Sequence, residues 1–359
     1  MRTTTMLCTK MDKIKGAIVL LVCLLLLSCT HSDKYSVISL EIPNGEIRLN
    51  TEINLPSGAG PFPAVILVHG SKNNTLDFYP KYSEYFAENE IVTVRFDKRG
   101  QGKSTGILWT AEFEDLAKDI VAIVEKLKTL PYVDSTKIGL WADSQGGWLI
   151  LIADSLSSDL SFLVNKAGPV MTPLEQTLYD YENNYLRKKG AKDKAVSELR
   201  QWYRHVLVYL TRERSDSLWM SIRSVLEKYR RSAFFNSDHD KYYFSLLDNP
   251  GKMERKENIF LDPSGRSFDF DPVPYLMDLQ TPMLYQIGTA DHLNDVPACL
   301  DRLQEVANPA ICIKVYENAD HGIRVHRKPS LFLKPRFAKN YLEDLLEFIQ
   351  KQTGNSGKE

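Results

Sequence analysis

Three residue types at three separated places pose the chemical question: a serine at 144, an aspartate at 291 and a histidine at 321. Ser144 stands in Ala142-Asp143-Ser144-Gln145-Gly146, after the apolar run 138–142 and before the apolar stretch 149–153. A strand that turns at once into a helix with serine at the apex is a nucleophile elbow. Small neighbours are needed there because the strand and helix backbones come close. The usual pattern has glycine on both flanks, and Ala142 occupies the first of them, so the motif alone is weak. Serine is a poor nucleophile without a base, and the base needs an acid to orient it. Asp291 follows the apolar run 282–287, and His321 follows the apolar run 311–315. Acid and then histidine thus each stand just beyond a late strand. Loops at the carboxyl ends of parallel strands converge, so the three residues can meet despite their separation in sequence.

Ala-Asp-His occurs twice, at 290–292 and 319–321, which leaves rivals to weigh. His292 precedes the last strand, in the place the order gives to the acid. Asp320 adjoins His321, and neighbouring residues seldom turn toward each other. A metal held by the two Asp-His pairs is disfavoured because no tight ligand spacing accompanies them. An acyl-transfer site also needs donors for a developing oxyanion. Gln145 offers its backbone N–H at the helix start, and Ser71, after Val68-His69-Gly70, offers the second. His69 precedes the serine and is read as a residue that holds the loop. The run 96–104, FDKRGQGKS, lacks the spacing of a phosphate loop and is read as a turn with an Asp97–Arg99 pairing.

The elements that must position these residues are legible from periodicity. Segments 37–42 and 46–55 alternate around Pro43-Asn44-Gly45, as a hairpin does. Buried strands are expected at 64–68, 91–96, 137–142 and 161–165, with helices over 76–89 and 112–130. Strands alternating with helices imply an α/β fold with a mostly parallel central sheet and an N-terminal antiparallel hairpin. The alternation stops near Gly168-Pro169. Helical, polar and aromatic sequence fills 170–260, and an Asp/Pro/Gly-rich return loop is expected over 261–274. This block, 170–274, is read as an inserted helical lid; a separate small domain unrelated to the site is the alternative. The sheet pattern then resumes, with helices expected over 296–306 and 337–351.

The 359 residues carry 45 basic and 46 acidic side chains, a balance that gives no electrostatic case for nucleic acid or an anionic surface. Arg2, Lys10, Lys13 and Lys15 precede the apolar run 16–27, the layout of a secretory signal peptide. The run ends in Leu26-Leu27-Ser28-Cys29, which resembles a bacterial lipobox and implies cleavage before Cys29 and lipid on that cysteine. A plain signal peptide or an uncleaved anchor is the alternative. The expected division is a signal at 1–28, a tether at 29–36, a core at 37–169 with 275–359, and the lid between. Cys299 and Cys312 are expected to be buried thiols and not a bridge.

His69-Gly70, the run 97–104 (DKRGQGKS), Val133-Asp134 before 137–140, and 143–147 (DSQGG) occur in that order. Together they resemble lidded bacterial serine esterases of the α/β-hydrolase superfamily, in its dienelactone-hydrolase and serine-aminopeptidase-like branches. The resemblance covers about 64–168 well and the loops near Asp291 and His321 adequately. It implies an α/β-hydrolase fold, a triad of Ser144, Asp291 and His321, no metal or organic cofactor, and a small-molecule ester as substrate. A peptidase or thioesterase on the same scaffold, or a non-catalytic binding lipoprotein, stays open. With the leader it implies an exported protein, anchored by lipid to a bacterial membrane on its periplasmic or outer face.

Overall fold

The computed structural model describes residues 34–71, 75–211, 215–229, 231–232, 266–326 and 336–354. The leader, Cys29 and residues 233–265 of the helical block therefore lie outside the described residues. Strands β1 (Tyr35–Asn44) and β2 (Ile47–Pro56) form the expected hairpin. They are followed by β3 (Phe62–Val68), α1 (Pro80–Glu88), β4 (Val92–Phe96), α2 (Phe113–Lys128), β5 (Val133–Asp143), α3 (Gly146–Leu156) and β6 (Phe162–Lys166). An eight-stranded sheet runs β1-β2-β4-β3-β5-β6 and is completed by β7 (Met283–Gly288) and β8 (Ile311–Tyr316). β2 pairs antiparallel with β4, and every neighbouring pair from β4 to β8 is parallel.

Helices cover both faces, and β3 displays the consequence residue by residue. Ala64, Ile66 and Val68 join one apolar cluster with α2 and α3, while Val65 and Leu67 join another with α1 and the closing helix Tyr341–Thr353. A strand covered on both sides has no polar face to keep, which is why β3 reads as an unbroken apolar run. α2 starts with a capping box between Glu112 and Asp115 and buries Leu116, Ile120, Ile123, Val124 and Leu127 along one stripe. At Gly139 on β5 a Cβ would sit 2.3 Å from the Phe162 ring, so the sheet there admits only glycine.

Between β6 and β7 the chain forms α4 (Pro173–Asp180), a π-helical stretch (Tyr181–Leu186), α5 (Asp193–Thr211), α6 (Asp216–Tyr229) and α7 (Pro272–Asp278). This block has an apolar cluster of its own, including Leu178, Tyr181, Leu199, Trp202, Tyr203 and Ile222. The aromatic sequence there is thus largely internal packing. The return loop is shorter than expected because Asp271 caps α7, its side chain accepting from the Val273 N–H at 3.0 Å.

Three local expectations are corrected. The helix expected over 76–89 starts only at α1, where Pro80 supplies a preset φ for the first turn. Cys312 is exposed, not buried, because β8 is the sheet's outer strand; Cys299 is buried, and neither is bridged. Asp97 does not pair with Arg99. It accepts from Asn50 Nδ2 (2.7 Å) and from the N–H groups of Lys103 (2.8 Å) and Leu76 (2.8 Å), while Arg99 grips Asp119 of α2 at 2.7 and 2.8 Å. Both carboxylates are buried and each takes the donors that its own side of the turn presents.

Candidate active site

Ser144 sits at the end of β5 with φ of 55°, the left-handed conformation of a strand-to-helix elbow. Its N–H donates to the Lys166 carbonyl at 3.0 Å, and its own carbonyl accepts from the Gly147 N–H at 2.8 Å, so the apex is held from both sides. The flanking small residues have a measurable cause. A Cβ on Gly146 would lie 2.9 Å from the carbonyl oxygens of Val68 and His69 and 3.2 Å from the Ala142 methyl. Ala142 is tolerated in the usual glycine position because Gly146 opposite it has no side chain.

Asp291 lies just beyond β7 with its side chain fully buried. Its Oδ1 accepts from the N–H groups of Leu293 (2.9 Å) and Asn294 (3.3 Å), and its Oδ2 from Asn294 Nδ2 (3.0 Å) and His321 Nδ1 (2.8 Å). A carboxylate only accepts, so His321 carries its hydrogen on Nδ1 and leaves the Nε2 lone pair free to take a proton. The two loops are stitched together behind the pair. Thr289 N–H donates to the Tyr316 carbonyl and Ala290 N–H to the Ala319 carbonyl, each at 2.9 Å. A Cβ on Gly288 would lie 2.1 Å from the Ala319 oxygen, so that approach requires glycine. Among the described residues the Ser144 hydroxyl makes no hydrogen bond; such contacts often tighten only when substrate binds.

The rivals are placed elsewhere. Asp320 accepts from the N–H groups of Gly322 and Arg324 and pairs with His326 Nε2 at 2.5 Å, so it braces its own turn. His292 is exposed, and its carbonyl accepts from Asn184 Nδ2 at 2.5 Å. Among the described residues no group of three His, Cys, Asp or Glu side chains is arranged to hold a metal. His69 is fully buried, with Nε2 donating to the Phe96 carbonyl at 2.6 Å. Burial pushes its pKa down to about 4, so it is a neutral strut.

Gly70 faces the elbow: a Cβ there would lie 3.3 Å from Ser144 Cβ. Ser71 is half-buried, next in the chain, and Gln145 opens the helix after the serine. Four residues around them escaped sequence reasoning. Lys98 is buried, with Nζ donating to the Gly70 carbonyl and lying 3.4 Å from Gln145 Oε1. Tyr79 donates to Asp143 Oδ2 at 2.8 Å, Lys166 Nζ lies 2.6 Å from Asp143 Oδ1, and Asn294 ties Asp291 to the Ala167 carbonyl. Only Asn294 carried a local signal, its place three residues after Asp291 in a loop where side chains commonly bond nearby backbone.

The helical block touches this region at defined points. Gln176 Nε2 donates to the Leu293 carbonyl (3.2 Å), and Glu175 pairs with Arg302 at 2.8 Å. The Arg302 guanidinium holds the Glu175 carboxyl down at about 2.

A family model described as serine aminopeptidase, S33, matches residues 59–167, the stretch from β3 through the elbow to β6. Esterase FrsA of Vibrio vulnificus (strain YJ016) is 26% identical over 121 residues; the match covers 34% of this chain and 28% of that esterase. Among solved structures, proline iminopeptidase of Mycobacterium smegmatis superposes with a TM-score of 0.53 at 16% identity, covering 88% of this chain and 99% of that one. Acetyl xylan esterase 1 of Thermoanaerobacterium sp. JW/SL YS485 gives 0.50 at 14% identity, covering 90% and 86%. At such identities the likeness carries architecture. With its parallel sheet, flanking helices and serine elbow, the chain has the α/β-hydrolase fold.

Proposed function

We propose that the protein is a serine hydrolase that cleaves carboxylic esters through an acyl-enzyme on Ser144. The observation that carries the reading is the His321 Nδ1–Asp291 Oδ2 hydrogen bond of 2.8 Å, at the same sheet end as the elbow. In this mechanism Ser144 Oγ attacks the carbonyl carbon as its proton passes to His321 Nε2. The imidazolium that forms is stabilised by Asp291, and the N–H groups of Ser71 and Gln145 receive the oxyanion. The proton then leaves with the alcohol. Water, deprotonated by the same histidine, releases the acid. The block over 170–274 serves as a lid, through its contacts with the Asp291 loop. The leader directs export, and Cys29 carries lipid that holds the protein to a membrane.

Labelling by a fluorophosphonate probe tests the nucleophile: wild-type protein is labelled and Ser144→Ala is not, and equal labelling of the two would refute the assignment. Peptidase action is the second reading, favoured by the serine-aminopeptidase description of the matching family. Parallel assays of a short-chain aryl ester and an aminoacyl arylamide separate the two, with dominant arylamide turnover overturning the esterase reading. Retention of Cys29→Ala on membranes would overturn the lipid anchor.

A further inference from the structure

Lys98 is a buried amine that the proposed mechanism leaves without a task. It follows β4, is 3% exposed, and among the described residues forms no ion pair. An uncompensated buried ammonium is costly, and burial lowers its pKa to about 7. A residue this expensive to bury is expected to do something that a leucine would not.

Its contacts indicate what. Nζ donates to the Gly70 carbonyl and lies 3.4 Å from Gln145 Oε1, so one amine reaches the peptide that carries the Ser71 N–H and the side chain of Gln145. The Gly70 carbonyl and the Ser71 N–H belong to a single planar peptide group, which is trans. In a trans peptide the oxygen and the hydrogen point in opposite directions. Fixing the oxygen on Lys98 therefore fixes where the Ser71 hydrogen points. With no Cβ at Gly70, the backbone there packs close to Ser144, whose Cβ would lie 3.3 Å from a side chain placed at Gly70.

We propose that Lys98 is a positioning residue that aims the Ser71 N–H at the oxyanion, with its charge lying behind that peptide and favouring the negative charge that develops there. The role rests on the serine-hydrolase reading. It differs from structural filling because its effect falls on the transition state and not on substrate binding.

The test uses Lys98→Met, Lys98→Gln and Lys98→Arg in the full chain, with rates of aryl ester hydrolysis expressed per site titrated by a fluorophosphonate. This normalisation removes any unfolded fraction, and Gln serves if Met is not recovered folded. The expected result is a kcat lowered about 10- to 100-fold in Met and Gln, with KM within threefold and partial recovery in Arg. Binding of an aryl trifluoromethyl ketone, whose adduct carries an oxyanion, is expected to weaken by a similar factor. An unchanged kcat per titrated site, or a loss confined to KM, would overturn the role while leaving the hydrolase reading standing. Wild-type protein that shows no Ser144-dependent labelling would overturn both.

Discussion

Lys166 Nζ lies 2.6 Å from Asp143 Oδ1, a charge pair whose side chains are 5% and 19% exposed, one residue before the elbow serine. The two residues are partners in the β5–β6 register, and the Lys166 carbonyl also accepts the Ser144 N–H. The contact meets the distance of an ion pair without the alignment of a hydrogen bond. Burial pushes the Asp143 carboxyl up, but Lys166, His321 and the Tyr79 hydroxyl outweigh it and hold it below the usual range. Lys166→Met would strand a buried carboxylate, at about 3–5 kcal/mol. We expect a clearly lower urea midpoint, partly restored by adding Asp143→Asn. An unchanged midpoint would mean that water solvates Asp143.

Asn294 is fully buried and divides its amide between the Ala167 carbonyl (2.7 Å) and Asp291 Oδ2 (3.0 Å). Asn294→Ala leaves both acceptors short of a donor, a loss of about 1–3 kcal/mol. With the acid less firmly placed, ester turnover is expected to fall more than binding does. Steady-state kinetics and a denaturation curve on the same preparation check the two parts separately.

Gly146→Ala places a methyl 2.9 Å from two backbone oxygens that belong to the core strand β3 and its exit, and neither can swing aside. About 1–3 kcal/mol of destabilisation is expected from such overpacking, together with lower turnover in the aryl ester assay of the proposed activity as the elbow shifts. Thermal melting beside an activity assay reads both, and a variant with normal melting and turnover would show that the turn can widen.

His69 gives a pH prediction with a definite sign. Its pKa falls from 6.5 to about 4 on folding, so the unfolded chain takes up the proton first. The stability held at neutral pH is therefore lost as pH drops from the unfolded value toward the folded one. Between pH 7 and 4.5 that loss is about 2.5 kcal/mol. His69→Gln keeps a donor for the Phe96 carbonyl but does not titrate. Its stability should fall less over that interval, as measured by urea unfolding at the two pH values.

Glu175 works in the same direction at lower pH. Held at about 2 by Arg302, its carboxyl contributes stability that is present above the unfolded value near 4.5 and disappears as pH falls toward 2. The pair is partly solvent-screened, so about 1 kcal/mol or less is at stake. The melting temperature of Glu175→Gln should lie below that of the wild type at pH 6 and converge with it near pH 2.5.

Much of the sheet was legible because its signals are local. The β1–β2 turn, the alternating faces of β3 and the amphipathic stripe of α2 each follow from residues close in sequence. The positions of Asp291 and His321 at successive strand ends could be read for the same reason. What escaped depends on who meets whom across the sheet. Asp97 and Arg99 look like partners two residues apart, yet Asn50 on β2 and Asp119 on α2 claim them. Lys98 and Lys166 read as ordinary charged residues, and only the tertiary arrangement buries them beside the elbow. Cys312 sits in an apolar pattern that would mean burial in an inner strand and does not at an outer one.

The left-handed backbone at Ser144 also restricts which alcohol can stand there. Threonine offers the same hydroxyl chemistry, but branching at Cβ makes φ near 55° a severe outlier. The barrier to threonine at this position is conformational, set before any question of reactivity. Cysteine, unbranched, fits the same turn. Replacement of the proposed nucleophile is therefore sterically open toward sulfur and closed toward the secondary alcohol.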